Sequence, residues 1–355
     1  MRRPTARRIT AIAAVALLAP LMAACGSDDK DSDSGSGTKS KDKSEGQTLL
    51  VYSGRNEELI APLLEKLEKA TGNKVEVRYG DSAELAAQLL EEGGKTKADL
   101  FLSQDAGALG ALSKEGRLAD LPQASLDKVD KAFRADDGSW VGVSGRARVI
   151  AYDPRKVDKA PDSVHDLTKP EWKGKVAYAP TNASFQAFVT GMRVLEGDDA
   201  TRKWLKDFKA NDPQVYEKNT PALAAVNDGK AELALINHYY WYEKVAEEGA
   251  DKVNAKLHYP TKGDPGALVN VAGVGVIKDS DESAAAEKAV DFLLSKEAQT
   301  YFSDETKEYP LAAGVTSNVK DLPPLDSIDA PDIDLSKLES LEETLAMLRE
   351  TGIVS

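Results

Sequence analysis

The sequence predicts an α/β protein of two lobes, and three observations carry that expectation. Short apolar runs of strand type alternate with segments of helical periodicity from Leu49 to Leu102 and again beyond Val176, the pattern of sheets flanked by helices. About 310 residues follow the start of that pattern, more than one core comfortably fills. Two further apolar strand runs, Val141 to Tyr152 and Val269 to Ile277, lie near the places where the chain is expected to pass from one lobe to the other. The expected division places 47–150 with 271–320 in lobe one and 151–270 with 321–355 in lobe two, each a mixed sheet flanked by helices.

The chain opens on Arg2, Arg3, Arg7 and Arg8, then an uncharged apolar run from Ile9 to Ala24 that contains Pro20 and ends at Met22-Ala23-Ala24-Cys25. The run is shorter than the roughly 20 residues a spanning helix needs, so 1–24 reads as a signal peptide. Leu21 to Cys25 resembles a bacterial lipobox, which makes Cys25 the site of lipidation; as the only cysteine it has no disulfide partner within the chain, and a free or buried thiol is the other reading. Residues 25–46 carry no large apolar side chain and read as a flexible tether from the lipid anchor. Removing the leader's four arginines takes the formal charge from -13 to about -17, and so acidic a surface argues against nucleic acid as a partner.

Leu49 to Tyr52 reads as the first strand, and Leu59, Ile60, Leu63, Leu64 and Leu67 line one face of the helix after it, which stops at Thr71-Gly72-Asn73. Val75 to Tyr79 alternates as a strand; Ser82 is the expected cap of a second helix with Leu85, Leu89 and Leu90 on its face; Asp99 to Leu102 is the third strand. In open parallel sheets, ligands bind beyond the carboxyl ends of the strands, which nominates the loops 53–56, 79–82 and 103–105. Arg146 and Arg148 share one side of the long strand 141–152 by its period of two. Val176 to Tyr178 leads into the turn 180–184 and a helix near Phe188 to Leu195; Leu233 to Ile236 leads into a helix near Trp241 to Glu247; Leu338 to Arg349 is a last amphipathic helix.

Asn237-His238-Tyr239-Tyr240-Trp241-Tyr242 is the stretch richest in chemistry. Adjacent tyrosines at a strand-to-helix junction can send both phenols into a cleft, and phenolate is a hard anionic donor suited to a small, highly charged cation, which in turn lowers the phenol pKa from its ordinary value of about 10. An aromatic cluster packing between lobes, or a stacking surface for an organic ligand, is the competing reading. Only His165, His238 and His258 exist, without metal-ligand spacing; His238 stands beside the tyrosines, and a hydrogen-bonded structural histidine is its alternative role.

Val51-Tyr52-Ser53-Gly54, Ala98-Asp99-Leu100-Phe101, Ser144-Gly145-Arg146-Ala147-Arg148-Val149, Asn219-Thr220-Pro221-Ala222, Asn237 to Tyr242 and Asp264-Pro265-Gly266-Ala267-Leu268-Val269 together resemble the bacterial ferric-iron-binding proteins of ABC importers, from about Leu49 to the carboxyl terminus. The resemblance implies a type II periplasmic-binding-protein-like fold, a clamp in which Tyr239 and Tyr240 bind ferric ion as cargo, and an anion such as carbonate or phosphate that completes the coordination. Positions matching the anion site are Thr181, Asn182, Ala183, Ser184, Asn219 and Asn237, with Arg146 and Arg148 supplying charge or, alternatively, forming ordinary ion pairs. Where some members have a histidine this chain has Asn56, and where they have a glutamate it has Gln104, beside Asp105; Asn56, Gln104, Asp105 and His238 are therefore candidate further contacts.

The expected function is an extracellular receptor, monomeric and lipid-anchored on the outer face of the cell membrane, that hands ferric iron to an ABC permease and its ATPase and is not an enzyme. Two rivals remain on the sequence. An organic cation such as a polyamine would sit among Asp105, Tyr239, Tyr240 and Trp241 through cation–π contacts. A hydrolase would use Gly80-Asp81-Ser82, a motif with no evident base and orienter.

Overall fold

A computed structural model describes residues 46–354; the signal peptide, Cys25 and nearly all of the tether lie outside the described residues. Three βα steps open the domain: β1 (Thr48–Ser53) to α1 (Glu57–Thr71), β2 (Lys74–Tyr79) to α2 (Ser82–Glu92), and β3 (Leu100–Ser103) to α3 (Ala106–Lys114). Helix α1 buries the expected face, Ile60, Leu63, Leu64 and Leu67, and stops at Gly72 in the left-handed region, φ 73°, where a side chain would be strained. The cap of α2 differs from expectation. Asp81 caps it, accepting from the Ala83 amide at 2.8 Å, while the Ser82 hydroxyl accepts from the Gln104 amide at 2.9 Å. Leu90 falls off the α2 stripe and is exposed, because it lies one residue, about 100°, beyond Leu89.

A short helix α4 (Gln123–Leu126) precedes the twelve-residue strand β4 (Val141–Tyr152). Then come β5 (Val176–Tyr178), α5 (Ala183–Glu196), α6 (Asp198–Ala210), β6 (Gln214–Val215), α7 (Asn219–Asn227), β7 (Leu233–Asn237), α8 (Tyr239–Glu248), β8 (Lys256–His258) and β9 (Val269–Val276). The chain closes with α9 (Ser283–Leu293), α10 (Lys296–Asp304), β10 (Tyr309–Pro310) and α11 (Leu341–Glu350). The single helix expected over Leu338 to Arg349 is a 3-10 turn, Leu335–Glu339, and α11, parted at Ser340.

The sheet runs β2-β1-β3-β9-β4-β7-β5-β6, with β8 and β10 also on β4. Its ends are parallel, β2-β1-β3 and β7-β5-β6, and its middle is antiparallel through β9 and β4, so the sheet is mixed. β4 is shared. It pairs with β9 as far as Ala147 and with β7 from Arg148 onward.

Apolar burial divides in the same way. One large cluster gathers residues from Leu49 to Val143 and from Leu268 to Leu311; two others gather residues from Val149 to Ala255 on the two faces of the β7 half. Within 321–355, expected in lobe two, Leu335 and Leu338 join the first cluster, whereas Met347, Leu348 and Ile353 join the second.

Candidate functional site

The site is built from β4 outward. Arg146 and Arg148, two residues apart, emerge on the same side of β4 at its change of partner, in register with Asn270 of β9 and Asn237 of β7. Both guanidinium groups are buried. Arg148 donates to Ser184 Oγ at 3.2 Å, to Asn237 Oδ1 at 3.4 Å and to the Leu235 carbonyl at 3.0 Å, and its charge lies over the Phe185 and Phe188 rings. Burial pulls its pKa down to about 9 despite Tyr240 and Tyr239 nearby, which still leaves it cationic at neutral pH. Arg146 donates to the Gln104 carbonyl. The Nε atoms of Arg146 and Arg148 are buried without a hydrogen-bond acceptor among the described residues.

The amino end of α5 faces these arginines. Asn182 caps it, its Oδ1 accepting from the Ser184 amide at 3.0 Å and hydroxyl at 2.7 Å. Asn219, fully buried, donates to both Asn182 Oδ1 and Ser184 Oγ from behind. The outcome is a small cavity of about 160 Å³ lined by Arg146, Arg148, Asn182, Ala183, Ser184 and Asn237, with Gln104, Asp105, Asn270, Ala187, Phe188 and Leu268 completing the wall beside Tyr239 and Tyr240. Two buried cations, spare donors and a helix amino terminus suit an oxyanion. Of the expected anion residues, Thr181 is exposed and outside the lining, and Asn219 acts only through Asn182 and Ser184.

The aromatic run begins α8, and helical rotation sorts its members. Trp241 donates to the Ala255 carbonyl at 2.7 Å and Tyr242 to the Asp321 carbonyl at 2.9 Å, so both are structural. Tyr239 and Tyr240, ring centroids 4.2 Å apart, face the cavity, and both also line a larger outer cleft with Gln104. Burial, with Tyr240 adjacent, holds the Tyr239 phenol well above its ordinary pKa. Ionising it therefore requires a strong cation at the oxygen.

The outer cleft has the opposite character. Glu57, Glu58, Asp81, Glu243, Glu247 and Glu305 surround it, and burial followed by the charges of Glu308 and Glu247 raises the Glu243 carboxyl to about 7. Among the described residues these acids do not gather into a cage of three or more metal-binding side chains. The tyrosine pair thus stands on the boundary between a basic inner cavity and an acidic outer cleft.

The candidates from the other side of the cleft are occupied. Asn56 caps α1 by accepting from the Glu58 amide at 2.8 Å; Gln104 Oε1 accepts from Arg55 at 3.1 Å; Asp105 caps α3 through the Ala108 amide at 3.2 Å. His238 lines neither space. It is fully buried and stacked on Tyr309 at 4.6 Å; its Nδ1 accepts from the Ala147 amide at 3.2 Å and its Nε2 donates to the Lys307 carbonyl at 3.0 Å. With both nitrogens engaged it is a structural pin, which corrects its candidacy as a cleft contact.

Sequence reasoning missed the charge set beneath the cleft floor. Glu308 is buried, gripped by Arg55 at 3.0 Å on each oxygen and by Ser144 at 2.5 Å, with Arg146 at 4.0 Å. Desolvation raises its pKa, and Arg55 and Arg146 outweigh that and hold it below the ordinary carboxylate value. Arg55 and Glu308 lie 253 residues apart, so no local pattern announces them. Glu243 was findable, since it lies three and four residues beyond the tyrosines on one helix. The rival sites do not assemble. Trp241 is absent from the cleft lining, and the Ser82 hydroxyl has no histidine or carboxylate partner among the described residues.

Fold and cleft define an α/β binding protein for a small charged ligand, with a strand shared between two half-sheets and the site at the hand-over. Residues 95–335 match the profile of the bacterial extracellular solute-binding proteins. The chain is 34% identical over 351 residues to the Fe(3+)-binding periplasmic protein of Serratia marcescens, covering 98% of this chain and 99% of that one. It is 35% identical over 312 residues to the major ferric iron-binding protein of Neisseria meningitidis serogroup B, covering 86% and 93%. Among solved structures, iron-bound HitA from Pseudomonas aeruginosa superposes with a TM-score of 0.80 at 34% identity, covering 86% and 99%. A Trichodesmium protein in complex with iron and citrate superposes at 0.74 and 28% identity, covering 86% and 99%. The chain belongs to the bacterial extracellular solute-binding proteins and, within them, to the ferric-iron-binding family; its fold is that of the type II periplasmic binding proteins.

Proposed function

We propose that this protein captures ferric ion on Tyr239 and Tyr240, with an anion seated against Arg146 and Arg148, and delivers it to an ABC permease. The observation that carries this reading is the position of the two phenols on the boundary between the basic cavity and the acidic cleft. A trivalent cation is drawn in on the acidic side, while carbonate, phosphate or a similar oxyanion is held on the basic side by two guanidinium groups and the α5 amino end. Each phenol gives up its proton as it binds, so uptake releases about two protons per ion and weakens as pH falls.

The lobes of this reading divide at β4 and β9, with the 3-10 turn Leu335–Glu339 on the lobe of β1 and α11 on the lobe of β7. Closure about those strands presents the loaded form to the permease and its ATPase. A monomer held to the outer face of the membrane by lipid on Cys25 fits the leader sequence, and no covalent chemistry is needed.

The test is a visible-absorbance titration of the purified protein with ferric citrate in bicarbonate buffer. A saturable phenolate-to-iron band at one ion per chain, lost in Tyr239→Phe and Tyr240→Phe, is expected. A colourless wild type that takes up no iron overturns the assignment, and a thermal shift with polyamines in its place would establish the organic-cation rival.

A further inference from the structure

Two phenolates leave a ferric ion one positive charge in excess, and the acids that the far side of the outer cleft offers to offset it, Glu57, Glu58 and Asp81, are all exposed to solvent. Asp105 caps α3 through one oxygen and lines only the inner cavity, Glu308 is held by Arg55, and the oxygens of Asn56 and Gln104 are both taken. Glu243 differs from all of these. It lines the outer cleft together with Tyr239 and Tyr240, is half-buried, and has neither an ion pair nor a side-chain hydrogen bond among the described residues. Its offsets of four and three residues from the tyrosines place it on their face of α8, where such neighbours have Cβ atoms about 5–6 Å apart. The other acids of that cleft are exposed or, like Glu308, paired.

We propose that Glu243 is the third anionic donor to the ferric ion, supplied by the same helix as the tyrosine pair. This rests on the ferric reading above. Two phenolates and one carboxylate match the charge of the ion, so the anion in the inner cavity balances Arg146 and Arg148 rather than the metal. Helix α8 alone then holds the ion in the open clamp, and the opposite wall closes over a charge already neutralised.

The experiment compares wild type with Glu243→Gln, Glu243→Asp and Glu247→Gln, reading the visible band and iron affinity by competition against citrate. Glu243→Gln is expected to keep a band, moved to longer wavelength as the iron loses donor charge, and to weaken affinity about 10- to 100-fold. Glu243→Asp, which keeps the charge on a shorter stem, falls between, and Glu247→Gln, which removes an exposed charge of the same cleft, leaves the band in place and weakens affinity by no more than a few-fold. A Glu243→Gln band and affinity equal to wild type overturn the proposal and leave the ferric reading standing. Equal losses in Glu243→Gln and Glu247→Gln also overturn it, because they mark general attraction by the cleft rather than a donor. A wild type without any band overturns both.

Discussion

The loops after β1, β2 and β3 and the one after β7 all lie at the carboxyl ends of parallel strands, yet they use their polar residues in opposite ways. On the first wall, Asn56, Asp81 and Asp105 each turn back to cap the helix they introduce, and Gln104 is tied to Arg55 and Arg146. On the second wall, α8 begins at His238, whose ring points into the protein, and the next two side chains are left to the cleft. A wall whose polar groups are consumed by its own backbone is stable and chemically quiet. One that leaves them unsatisfied pays in stability and gains a ligand site.

Substitutions on the two walls should therefore separate binding from stability. The largest effect is expected on the second wall. Tyr240→Phe lowers iron affinity by at least about 100-fold, beyond the scale on which losing an outer-shell partner weakens a metal site, while the apo melting temperature stays near wild type; a fall in stability with affinity retained would break the comparison. Beneath the floor, Glu308→Gln strands Arg55 and costs about 3 kcal/mol or more in chemical denaturation. Arg148→Met is expected to abolish the dependence of iron affinity on added carbonate or phosphate, measured by repeating the titration with and without the anion. Smallest is Asp81→Ala on the first wall, which removes the α2 cap at about 1 kcal/mol and leaves iron affinity unmoved. Asn56→Ala belongs beside it, and a loss of iron affinity there would show that its amide leaves the α1 cap to reach the ion.

Much of this architecture is visible in the residues themselves. The strand runs that become β1, β3, β5, β7 and β9 are apolar and bounded by turns, as burial on a sheet demands, and β2 at the sheet edge shows itself by alternation instead. The strands β6, β8 and β10 are too short and too mixed to signal. The reversal of β9 against β3 leaves no local trace, because orientation is decided by pairing partners far apart in sequence. The same division holds in the site. Tyr239 and Tyr240 announce themselves as neighbours, and Arg146 and Arg148 by strand period. Asn270 is a lone amide within an apolar strand, a weak signal, while Arg55 with Glu308 exists only once the chain has folded. His238 shows the limit of composition: a histidine beside two ligand candidates reads as a third, and only the Ala147 amide and the Lys307 carbonyl reveal what it holds.

The hand-over on β4 has a mechanical corollary. A strand laced to β9 on one stretch and to β7 on the next cannot slide along either neighbour without breaking a ladder of backbone bonds, which removes translation from the movements open to the clamp and leaves bending and torsion. For the closure proposed above, the change of partner on β4 puts the fulcrum between Ala147 and Arg148, with the two guanidinium groups mounted on either side of it. Load and axle coincide: a few degrees of flexure there re-aim both cations at the cavity while the tyrosines, carried on α8 just beyond the adjoining β7, turn with only one of them.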